Sequence, residues 1–107
     1  MINAKKIIED NYNAANDSFL FWLHERDSFR ADRFDELCQS VEALAQDKIS
    51  LGMARTVTHI YQCILKELIY HFNPNDSSVI KDLPDNYTEY LEKFDCALAR
   101  YFTYGGI

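Results

Sequence analysis

The chain has 107 residues, with seventeen Asp/Glu against eleven Lys/Arg and a formal charge of −6. At 48% hydrophobic and 14% aromatic it is too apolar for a disordered chain, and three Gly and two Pro exclude collagen-like or linker-like character. The longest unbroken apolar run, Phe19 to Leu23, falls far short of the roughly 20 residues that cross a bilayer. The opening MINAKKIIED carries acids where a secretory signal has its apolar stretch. One core and a single helical domain over residues 1–107 are expected, in the cytoplasm.

The apolar pattern has helical period almost throughout. Residues 3 to about 27 read as one helix, with Ala4, Ile8, Tyr12, Ala15, Phe19, Trp22 and Leu23 on a single stripe. Asn16-Asp17-Ser18 is a potential break, because those side chains compete for backbone hydrogen bonds. Leu20 and Phe21 fall off the stripe. Either they are exposed and form a dimer seam or partner groove, or the helix is wrapped on two sides or resets its phase at the break.

The second helix is expected from Asp32, as N-cap, to Ile49. Phe34, Leu37, Cys38, Val41, Leu44, Ala45 and Ile49 form its core stripe. The third follows Ser50 and runs to Phe72. Its apolar arc is so wide that it reads as the innermost helix. Asn73-Pro74 ends it, since Pro lacks an N–H and restricts its predecessor. Residues 77–82 read as a short helical turn. The last helix runs from about Asn86 to Tyr104, with a capping-box pattern at Asn86 and Glu89 and a stop at Gly105-Gly106. The fold expectation is all-α, an antiparallel four-helix bundle with one additional short helix.

Charge is uneven along the chain. Residues 31–49 hold five acids and two cations, and residues 76–96 hold six and two. The first candidate site is therefore an acidic partner-binding face: Asp82, Asp85, Glu89 and Glu92, with Tyr87 and Tyr90 interleaved. Tyrosine suits an interface because it buries a ring and keeps a polar tip. The plainer reading is that these acids complement the helix dipole while both tyrosines face the core.

A second candidate has the opposite sign. Arg55, His59, Gln62 and Lys66 recur at helical spacing as a polar stripe. Such cations either pair with the protein's own carboxylates on the second helix or line a cleft that holds an anion. Arg55-Thr-Val-Thr-His59 resembles the Arg-to-His motif of the HEPN ribonucleases, which places four to six residues between the two where this chain has three. In the cleft reading Arg55 and Lys66 hold the anion and His59 serves as acid or base; the resemblance itself covers only Arg55 to His59 and implies a small helical domain.

Glu67 and His71 lie one turn apart and read as a hydrogen-bonded pair; His24 reads as solvated. Three widely spaced cysteines, with no Cys-x-x-Cys pair, point to reduced thiols and not to zinc. No metal site, cofactor or catalytic constellation is expected. An acidic surface disfavours direct nucleic-acid binding and favours a basic protein partner. The best-fitting class is non-enzymatic: an inhibitor or immunity protein of antitoxin type that covers the active site of a basic toxin such as a nuclease. Colicin-type nuclease immunity proteins and contact-dependent inhibition immunity proteins are similar in size and charge character. The rival classes are a HEPN-like ribonuclease or anion-binding regulator, an adaptor or secretion chaperone, and a structural subunit of a helical oligomer.

Overall fold

A computed structural model describes residues 3–45, 50–75 and 79–104 of the chain, and of Tyr104 the backbone only. The described residues form five helices and contain no strand. They are α1 (Ala4–Tyr12), α2 (Phe19–Arg26), α3 (Ala31–Leu44), α4 (Leu51–Phe72) and α5 (Tyr87–Tyr104). None is long and apolar enough to cross a membrane.

The expected single helix over residues 3–27 is two helices. Ala14 and Asn16 take positive φ values of 48° and 57°, a conformation in which the helix cannot continue. Two side chains then start α2. Ser18 Oγ accepts from Phe21 N at 3.2 Å, and Asn11 Oδ1 accepts from Leu20 N at 3.0 Å. Asn11 also donates to Ile7 O at 2.9 Å, so this buried amide ties α1 to α2. The break resets the phase. Phe19, Leu20 and Leu23 are buried, whereas Trp22 and Phe21 are half-buried at the edge. Leu20 is thus core, and the Leu20–Phe21 pair is no exposed seam. The fifth, short helix comes from this break; residues 79–82 are not helical. Residues 77 and 78, Ile49 and Gly105-Gly106 lie outside the described residues.

Helix α3 begins at Ala31, so Asp32 is not its N-cap. Asp32 sits in the first turn and pairs with Arg30 at 3.2 Å. The rest of the stripe is as expected: Phe34, Leu37, Cys38, Val41, Leu44 and Ala45 are buried. Phe34 is the hub, its ring 5.1 Å from Phe19, 5.7 Å from Phe29, 5.4 Å from Tyr90 and 6.0 Å from Phe94.

Helix α4 is not the innermost. It buries only Val57, Ile60, Ile64 and Leu68, while Leu51, Ile69 and Phe72 are 77%, 63% and 55% exposed. Its arc is wide because it carries a second apolar strip outside the core. Helix α3 packs on α1 and α5, and α4 packs on α1 and α2. Between α4 and α5 the backbones stay apart and rings bridge the gap. Tyr61 stacks on Phe94 at 5.2 Å, and Phe72 meets Tyr87 at 5.4 Å. Those two rungs make α4 and α5 antiparallel neighbours.

Candidate functional site

The six residues of the acidic candidate divide by what they touch. Asp82 belongs to the connection that docks under the α2–α3 junction. Its carboxylate accepts from Phe29 N at 2.6 Å and from Ser28 Oγ at 3.0 Å. Beside it Lys81 N donates to Asp27 O at 2.7 Å, and Ile80 N donates to His71 Nδ1 at 2.9 Å. Tyr87 and Tyr90 are half-buried and turn inward, Tyr87 onto Phe72 and Tyr90 onto Phe29 at 5.1 Å. Glu89 accepts from Asn86 Nδ2 at 3.0 Å, a contact between side chains and not the side-chain-to-backbone pair of a capping box. Asp85, Glu89 and Glu92 are exposed, and so is Asp95, an acid outside the expected set.

No cation among the described residues pairs with any of these four acids. Elsewhere most acids are matched: Asp10 by Lys6, Asp17 and Glu36 by Arg33, Asp32 by Arg30, Asp35 by Lys93 and Glu42 by Arg100, while among the described residues Glu9 and Asp27 are not. Among the described residues, the largest group of unmatched acids thus lies on the outward side of α5 and its approach.

The basic stripe lies on the outward side of α4. Arg55, His59 and Gln62 line an open depression of about 670 Å³ with Tyr12, Thr58 and Phe102; Lys66 lies outside it. The expected pairing with carboxylates of the second helix does not occur among the described residues, because those carboxylates face Arg30, Arg33, Lys93 and Arg100. The His59 ring is 5.0 Å from that of Tyr12, and its Nε2 is 3.4 Å from Cys63 Sγ. Arg55 and His59 can together present donors to an anion. His59 is the only imidazole in the lining, and no carboxylate stands beside it to complete an acid–base pair.

The expected Glu67–His71 pair is replaced by two contacts across elements. Glu67 Oε1 lies 3.0 Å from His24 Nδ1, which makes His24 a partner of α4, and His71 accepts from Ile80 N. The bond to Glu67 holds His24 above the ordinary imidazole pKa. Cys38 is buried, which pushes its thiol up to about 12; Cys63 is half-buried and also raised by burial, and Cys96 is exposed. Neither Cys38 nor Cys63 is an activated thiolate.

Sequence reasoning missed one feature. Leu65, Leu68, Ile69, Phe72, Tyr87 and Leu91 line an apolar hollow of about 640 Å³ along the α4–α5 seam. Its signal was the excess width of the apolar arc on α4, which one buried side does not use up. Set against known proteins, the chain matches no family model, no curated protein and no solved structure.

Proposed function

We propose that the chain is a small acidic protein-binding module, an inhibitor or immunity protein of antitoxin type that neutralises a basic toxin such as a nuclease by covering its active site. In the same reading the helices form an antiparallel bundle, left open along α4 and α5, and the protein works in the cytoplasm. The supporting observation is the set of uncompensated carboxylates at Asp85, Glu89, Glu92 and Asp95. Acids that served only the fold would be matched as those of α3 are. Unmatched like charges on one outward ridge raise the encounter rate with a cationic partner and repel nucleic acid.

Asp82 is a poor contact residue in this reading, since the docked connection already uses its carboxylate. Tyr87 and Tyr90 contribute by stiffening the ridge from beneath. The working face is therefore Asp85, Glu89 and Glu92.

A second reading rests on the depression at Arg55 and His59, where two donors stand open with no carboxylate beside them. It makes the chain an anion-binding regulator, or a HEPN-like ribonuclease. The catalytic version is the weaker, because Lys66 stands apart from the other two.

The test is binding to the product of a neighbouring reading frame that encodes a basic protein, measured by calorimetry at low and high salt. The double variant Asp85→Asn/Glu89→Gln is expected to weaken the complex by about tenfold and to flatten its salt dependence. Binding that ignores both salt and the two substitutions ends the proposal. Tight binding of RNA or inorganic phosphate that Arg55→Ala abolishes establishes the second reading instead.

A further inference from the structure

We infer that the open α4–α5 seam is the contact surface for a second copy of this chain, related by a two-fold axis that runs along the seam. Ile69 and Phe72 are 63% and 55% exposed, more than the exposed aromatics Tyr12, Tyr70 and Phe102, and they border a continuous hollow with Leu65 and Leu91. A hollow between two antiparallel helices accepts another helix pair. Charge selects the occupant. The α4 side of the seam is cationic, with Lys66 and Arg55 exposed; the α5 side is anionic, with Glu92 and Asp95 exposed. A uniformly basic helix would be repelled along α4, and a uniformly acidic one along α5. A surface split in this way is complementary to itself after a half-turn.

The register supports the same axis. Rotation about a line along the seam exchanges α4 for α5 and preserves height. The rungs Tyr61–Phe94 and Phe72–Tyr87 place Lys66 and Glu92 at closely similar heights, between the two. Lys66 of one copy then faces Glu92 of the other, twice, across the joined apolar strips. Asp85 lies before the first turn of α5. Glu89, two residues before Leu91, projects from the flank of α5 away from α4. Both remain outside the contact, so the inference does not rest on the proposed function and takes only Glu92 from its working face.

Light scattering after size separation tests it with the protein alone. At about 100 μM the parent is expected at twice the 12.5 kDa mass of one chain. Lys66→Glu places like charges opposite each other, as does Glu92→Lys, and each alone is expected to lower the mass toward one chain. Mixing the two single variants restores every opposite pair only in a mixed dimer, and the double variant restores them in the homodimer. Both are expected to regain the doubled mass. Ile69→Asp is expected to give a monomer with unchanged helicity, since the side chain it replaces contributes little to the core. A parent of single-chain mass, or a dimer indifferent to both charge reversals and to Ile69→Asp, overturns the inference.

Discussion

His24 and Glu67 show how a surface pair makes one contact of the fold sensitive to pH. The carboxylate lies 3.0 Å from the ring and raises the His24 pKa above 6.5, the ordinary value that the unfolded chain keeps. The folded protein therefore binds this proton more tightly than the unfolded one. The stabilisation is fully present below pH 6.5 and is lost as pH rises through the raised folded-state value. The His24 side chain is 61% exposed, so the energy involved is at the small end for ion pairs. Glu67→Gln is expected to return the His24 midpoint toward 6.5 in an NMR titration and to flatten the pH dependence of stability above it. A midpoint that stays where it was would mean that the pair does not form in solution. In the sequence, Glu67 and His71 invited pairing because an i, i+4 relation is visible within one helix. The true partners come from α2 and from Ile80, and contacts across elements have no spacing that a sequence displays.

At the scale of elements, what was legible followed periodicity. The stripe on α3 as far as Ala45 and the limits of α4 were both read correctly, because each depends on local pattern, and α4 on Ser50 as its start and Pro74 as its stop. The division of α1 from α2 was only half legible: Asn16-Asp17-Ser18 offered a break, but the apolar stripe from Ala4 to Leu23 reads equally well as one helix. A buried side chain decides it: Asn11 reaches nine residues along the chain to hold Leu20 N. Asn11→Ala is expected to cost about 1–3 kcal/mol, the penalty for a buried N–H without its acceptor. Ser18→Ala removes a more exposed cap and is expected to cost about 1 kcal/mol. Urea denaturation followed by circular dichroism measures both. A loss for Asn11→Ala no larger than that for Ser18→Ala would show that α2 is held by packing alone. The role of α4 was misjudged for a related reason. Width of an apolar arc reports how much surface wants cover, and it does not say whether the cover is the chain's own core.

Across the whole molecule, the charge distribution separates what folding uses from what it leaves over. Lys93 reaches Asp35 and Arg100 reaches Glu42, so α3 and α5 are laced by opposite charges where they pack. The outward acids of α5 have no such partners and repel one another. The long axis of the molecule is 43 Å, and at about 10 mM salt the Debye length of roughly 30 Å lets that repulsion act over most of it. At about 150 mM it shrinks to roughly 8 Å and the penalty is screened. The protein is therefore expected to melt higher in the second buffer than in the first. Glu92 and Asp95 lie away from the first turn of α5, so removing their charge forfeits no favourable contact with the helix dipole. Glu92→Gln/Asp95→Asn is expected to raise the melting temperature by ~2–4 °C at low salt in dilute protein, and to narrow the gap between the two buffers. Lys93→Ala is expected to move it the other way, because that cation neutralises an acid where two helices meet. If neutralising Glu92 and Asp95 instead lowers stability, those carboxylates serve the fold, and the case for a charged partner loses its footing.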